Sequence, residues 1–103
     1  MAKLDLTPEQ LSIVREILAN HVPGREVLAF GSRVNGRARK FSDLDLAVMG
    51  EEPIGLSVMA GINEAFTESD LPFKVDIVDW PTTNDNFREI IRREFIVVMD
   101  GSR

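Results

Sequence analysis

Two aspartates, Asp43 and Asp45, flank Leu44 at the head of a short apolar run, Leu46-Ala47-Val48. Side chains alternate faces along a strand. Read as a strand, this segment points Asp43 and Asp45 one way and Leu44 and Leu46 the other. The two α-carbons are then roughly 6–7 Å apart. A chain built around such a strand needs a sheet with one face packed and two carboxylates gathered on the other.

The flanking pattern supplies the rest of that sheet. Thr7-Pro8-Glu9-Gln10 reads as a helix start, with Thr7 as cap, Pro8 at the first helical position and Gln10 placed for a capping box. Leu11, Val14, Ile17 and Leu18 follow at helical spacing, and Pro23-Gly24 ends the helix. Val27 to Phe30 reads as a buried strand stopping at Gly31, followed by a polar, basic stretch to Ser42. Asp43 to Val48 is the second strand. Leu56, Met59, Ala60, Asn63 and Phe66 share one face of a helix from about Gly55 to Glu68. Phe73 to Val78 is rich in β-branched residues and reads as a third strand, broken by Trp80-Pro81. Phe87, Ile90, Ile91 and Phe95 mark a last helix beginning near Asn84 or Asp85, and Phe95 to Met99 a final strand. The order α, β, loop, β, α, β, α, β predicts an α/β (α+β) domain, with a mixed sheet of about four strands covered by helices.

At 103 residues the chain supports one small domain, expected over 1–103, with no room for a separate acceptor-binding domain. A net charge of −5 argues against nonspecific nucleic-acid binding. There is no cysteine, which excludes disulfides and thiolate chemistry. No apolar run of membrane-spanning length occurs, and MAKLDLTPEQ lacks a signal-peptide core. A soluble, cytoplasmic protein is the expectation.

Chemistry concentrates between Gly31 and Asp76. Gly31-Ser32-Arg33 is followed by nine residues and then Asp43-Leu44-Asp45. Carboxylates at that spacing can lean onto one Mg2+, or onto two about 3.5–4 Å apart. Asp76 lies within Lys74-Val75-Asp76-Ile77-Val78, an expensive place for an unpaired charge. If its strand neighbours the second one, Asp76 joins the pair. Like charges about 4 Å apart repel by roughly 4 kcal/mol at an effective dielectric of 20, so three together call for a cation or a proton. Gly31 lets backbone approach a phosphate, a following helix start would aim N–H groups at the same anion, and Ser32 and Arg33 can donate to phosphate oxygens. Taken singly each piece is common. A Gly-Ser pair is usually only a turn, and Gly-Ser-Arg recurs at 101–103 with no acidic pair after it. The conjunction is what points to phosphoryl transfer, where positioning and charge neutralisation do most of the catalysis.

A P-loop is a near miss. Gly31 to Ala38 resembles G-x-x-x-x-G-K-[ST], but Arg37 replaces the lysine and Ala38 lacks the magnesium-binding hydroxyl. Arg37, Arg39 and Lys40 read as a solvated loop balancing nearby acids, the alternative being contact with a triphosphate or a partner; His21 reads as a residue near a helix end, and Trp80 as core or a partner contact.

The motif resembles the minimal nucleotidyltransferase (MNT) branch of the polymerase-β-like nucleotidyltransferase superfamily. The mark is a Gly-Ser turn, ten residues, Asp-x-Asp, and a third acid on a later strand, here Gly31-Ser32, Asp43, Asp45 and Asp76. The wording Phe30-Gly31-Ser32-Arg33, Ser42 to Val48, Leu71 to Asp76 and Phe87-Arg88-Glu89-Ile90-Ile91 is also typical of the group, and the resemblance runs from about Thr7 to Met99. Lys40 and Phe41 depart from the usual proline and small polar residue.

The resemblance implies a small nucleotidyltransferase palm. It implies Mg2+ on Asp43, Asp45 and Asp76, with Asp76 also assisting deprotonation of the acceptor. Gly31, Ser32 and Arg33 would face the nucleotide phosphates, with ATP as donor. It further implies a partner: members of this group act as antitoxins beside a helical HEPN ribonuclease toxin and transfer AMP to one of its tyrosines. With no tyrosine among the 103 residues, such an acceptor lies outside them. The alternative is a binding module that masks the toxin without catalysis. Transfer to a nucleic acid or small molecule is disfavoured by the net acidity.

Overall fold

The computed structural model describes residues 3–101; Met1, Ala2, Ser102 and Arg103, and with them most of the second Gly-Ser-Arg, lie outside the described residues. The first helix, α1, spans Pro8–His21. Its start is the expected reciprocal cap, with Gln10 N–H donating to Thr7 Oγ1 at 3.1 Å and Thr7 N–H to Gln10 Oε1 at 3.0 Å. At its far end His21 Nδ1 lies 2.9 Å from the carbonyl oxygen of Ile17. Strand β1 (Val27–Phe30) follows, then a single helical turn α2 (Ser32–Asn35), strand β2 (Leu44–Val48), helix α3 (Leu56–Thr67) and strand β3 (Val75–Asp79). A 3₁₀ turn at Trp80–Thr82 leads to α4 (Asp85–Arg93), capped by Asn84 Oδ1, and to β4 (Ile96–Met99).

Several boundaries differ from the expectation by one or two residues: Phe95, expected on the last helix and at the head of the final strand, lies between α4 and β4, and the third strand ends at Asp79 rather than Val78. The third strand begins at Val75 rather than Phe73, because the Phe73 ring is buried beneath a guanidinium instead of joining the ladder. Asp43 sits one residue ahead of β2, held to the sheet through Leu44 N–H, which donates to the Lys74 carbonyl at 2.9 Å.

The four strands form one mixed sheet in the order β3-β2-β1-β4. β1 is antiparallel to β2 and β4, while β2 and β3 are parallel and are joined by α3, the crossover that parallel neighbours require. One face carries the main core: Val27, Ala29, Leu44, Leu46 and Val48 pack against Val14 and Leu18 of α1 and Ile62 and Phe66 of α3. The other face is only partly covered. There α4 packs Ile91 and Phe87 over Leu28, Phe30 and Ala47, with the Phe30 and Phe87 rings edge-to-face at 5.7 Å. The β2 and β3 ends nearest Asp43 and Asp76 extend beyond this cover. Among the described residues no helix is long and apolar enough to cross a membrane.

Candidate active site

Strand register brings the acids together. Asp45 pairs with Asp76 across the parallel β2–β3 ladder, and aligned residues of neighbouring strands share a face. Asp43, two residues before Asp45, falls on that side too, and lines one cleft together with Asp76. Had Asp76 lain a single position away, it would have pointed into the main core.

Asp45 is half-buried, while Asp43 and Asp76 are exposed. Burial, then the charges of Asp76 and Asp43, push the Asp45 carboxyl up to about 6 from an ordinary 3.8. Each of those causes opposes a bare negative charge at Asp45. Among the described residues, no three His, Cys, Asp or Glu groups are already drawn in closely enough to hold a metal ion. Three hard carboxylate oxygens donors on one face, one of them electrostatically stressed, nevertheless fit a hard divalent cation such as Mg2+.

The turn after β1 is fitted to Asp45. Phe30 is the cross-strand partner of Asp45, and the chain leaves the strand at Gly31 with φ 82°. Any β-carbon at 31 would overlap Asp45 Oδ2. The backbone conformation therefore favours glycine, and a side chain in its place would have to displace the carboxylate pressed against it. Sequence reasoning foresaw the glycine as a means of approach to phosphate; the nearer demand is the acid. Ser32 opens α2 directly behind it; Val34 and Asn35 N–H both donate to the Gly31 carbonyl at 3.0 Å, which leaves the Ser32 and Arg33 N–H groups as those without a helical acceptor.

Arg33 does not face the clefts. It is only 4% exposed, and its guanidinium donates to four main-chain carbonyls: Nε to Ser42 at 2.9 Å, Nη1 to Asp5 at 2.9 Å, and Nη2 to Lys40 at 3.1 Å and Arg39 at 3.4 Å. It also lies 3.9 Å over the Phe73 ring. The expectation that Arg33 clamps a phosphate is thus corrected. The second residue of the one-turn helix points inward, and its donors fix the shape of the 37–42 loop. The exposed side chains of Arg37, Arg39 and Lys40 fit the solvated loop expected of them.

Two clefts open on the acids. The first, about 560 Å³, is formed by Gly31, Asn35, Asp45 and Asp76 on one side and by Ile90 and Arg93 of α4 on the other. The second, about 620 Å³, runs around the ends of β2 and β3 beneath the C-terminal end of α3, past Phe41, Asp43, Asn63, Thr67, Lys74 and Asp76. Sequence reasoning missed Asn35, Ile90 and Arg93. Arg92 and Arg93 in the last turn of α4 were a visible signal, but only the fold shows that α4 crosses the acidic face. Among the described residues no hydrogen bond or ion pair engages the Arg93 side chain.

The chain is similar to proteins already known. Residues 13–103 match the family described as "Polymerase beta, Nucleotidyltransferase". The chain is 52% identical over 102 residues to the "Probable protein adenylyltransferase MntA" of Haemophilus influenzae (strain ATCC 51907 / DSM 11121 / KW20 / Rd), covering 99% of this chain and 90% of that protein. A solved structure described as "Crystal structure of the toxin-antitoxin with AMP-PNP" superposes with a TM-score of 0.73 at 19% identity, over 86% of this chain and 72% of that one. At that identity the likeness speaks for the fold.

Proposed function

This chain belongs to the Polymerase beta, Nucleotidyltransferase family, in its minimal nucleotidyltransferase branch, and is a nucleotidyltransferase; we propose that it moves AMP from ATP onto a hydroxyl of a partner protein, a tyrosine of a HEPN-domain toxin, and acts as its antitoxin in the cytoplasm. The observation that carries this reading is the alignment of Asp45 with Asp76 beneath the Gly31 turn. The relative's description as a protein adenylyltransferase supports a protein acceptor. The AMP-PNP in the toxin–antitoxin structure supports ATP as donor and a toxin as partner.

Asp43, Asp45 and Asp76 would hold Mg2+. Bound there, it supplies charge neutralisation for the triphosphate and for the transition state. Gly31 and the N–H groups opening α2 cradle phosphate oxygens, with Ser32 Oγ as a further donor. Arg93, across the first cleft, takes the phosphate-clamping place first expected of Arg33. Asp76 accepts the proton of the acceptor hydroxyl. That oxygen bonds to the α-phosphorus as the bond to the bridging oxygen breaks and pyrophosphate leaves. Burial and the neighbouring acids raise the cost of ionising Asp45, a cost that a bound cation would offset.

The test is incubation of the protein with α-labelled ATP, Mg2+ and the HEPN partner. Label on the partner, lost in Asp43→Ala plus Asp45→Ala, is the expected result. A double variant that still neutralises the toxin fully would favour masking over catalysis. Label on added RNA instead of protein would change the acceptor class.

A further inference from the structure

The two clefts meet at Asp76 but differ in what else they contain. The Gly31 turn and Arg93 belong to the first. A triphosphate seated there leaves one direction open to the nucleophile, because the attacking and leaving oxygens lie roughly in line across phosphorus. The acceptor oxygen therefore needs an entrance that reaches the acids without passing the Gly31 turn. The second cleft is such an entrance, since it opens on Asp43 and Asp76 alone.

Its wall is built rather than incidental. Phe41 is 64% exposed, with Lys40 Nζ 5.4 Å from the centre of its ring. The loop presenting it is nonetheless braced: the carbonyls on either side, at Arg39, Lys40 and Ser42, all accept from Arg33. The same guanidinium stacks on Phe73, which lines the same cleft. Arg33 thus sets both aromatic walls. Exposed Asn63 and Thr67 from α3 supply polar atoms at the rim. A volume of about 620 Å³ admits a side chain with its flanking backbone rather than a folded surface.

We propose that the cleft lined by Phe41, Phe73, Asn63 and Thr67 is the acceptor subsite, and that it receives an aromatic hydroxyl side chain from the partner protein, its ring against Phe41 and its hydroxyl at Asp76. The assignment rests on the transfer reaction proposed above. Arg33 is a positioning residue for this subsite, acting through the loop and Phe73.

Two variants and one direct measurement test it. Phe41→Ala removes the exposed wall, and Thr67→Trp fills the cleft from an exposed helix position. Each is expected to raise the acceptor KM about tenfold in AMP transfer, with the affinity for Mg2+ and AMP-PNP changed less than about twofold. Weakened AMP-PNP binding with acceptor KM unchanged would assign the cleft to the nucleotide and overturn the proposal, as would no change in either. Independently of turnover, N-acetyltyrosinamide at about 10 mM should move the backbone amide resonances of Phe41, Asn63 and Thr67. N-acetylphenylalaninamide should move them less. Shifts confined to Gly31 and Asn35, or none at all, contradict it. Wild-type protein that labels no protein would sink the transfer reading, while the resonance shifts would still decide what the second cleft binds.

Discussion

A β-carbon on Gly31 and the Oδ2 atom of Asp45 would occupy the same space. The turn closing β1 folds directly over the central acid of the site, at a backbone φ of 82° that residues with side chains rarely adopt. Gly31→Ala should therefore cost about 1–3 kcal/mol of stability. It should also displace the carboxylate, lowering AMP transfer about a hundredfold in the protein that remains folded. Thermal melts and single-turnover rates at a temperature where the variant is folded separate the two effects.

Asp45 links the site to pH. Its folded-state value, raised to about 6 from 3.8, means that the folded protein holds the proton more tightly than the unfolded chain. The stabilisation from that proton is fully present below 3.8 and is lost as pH rises through about 6. At pH near 7.5 without metal, Asp45→Asn should melt higher than wild type. Because Asp45 is half-buried and partly screened, the gain should be about 1 kcal/mol or less, a shift of a few degrees. Millimolar Mg2+ should raise the melting temperature of wild type at that pH but not of the variant. The Mg2+ effect should fade below about pH 6, where protons compete for the same oxygens.

Arg33 and Arg93 should behave oppositely. Arg33→Met strips the donors from the carbonyls of Asp5, Arg39, Lys40 and Ser42 and should cost about 2–4 kcal/mol, measured by urea unfolding. Its affinity for Mg2+ and AMP-PNP, measured calorimetrically on folded protein, should change less than about twofold.

Arg93 is exposed and faces the first cleft. Arg93→Ala should leave stability within about 0.5 kcal/mol. It should weaken AMP-PNP about tenfold, the loss expected for one charge-assisted phosphate contact at a solvated rim. Arg93→Lys should recover part of the affinity, since a point charge still attracts phosphate without the bidentate geometry.

Much of this was legible in the chain because period-two alternation is a strong signal. Asp43 and Asp45 with Leu44 and Leu46, and Asp76 between Val75 and Ile77, can satisfy a core only if the acids share the opposite face. The cap at Thr7 was equally plain, being wholly local. What stayed hidden depends on long-range placement. Arg33 sits beside the Gly-Ser turn in sequence, yet one helical turn sends it toward Asp5 and the 37–42 loop. The apolar character of Phe73 extended the third strand by two residues, because burial under Arg33 and burial in a sheet look alike in sequence. Arg93 and Ile90 become site residues only because α4 crosses the acidic face, a fact of topology that no local pattern encodes.

The proposed transfer of a nucleotide to a partner protein depends on Asp45 and Asp76, aligned beneath Gly31. The decisive measurement is intact-mass spectrometry of the proposed HEPN partner, co-expressed with this chain and then with Asp45→Asn. Partner carrying one or more added AMP units is expected with wild type, and unmodified partner still bound to the variant. Unmodified partner in both cases, or equal modification in both, would contradict it.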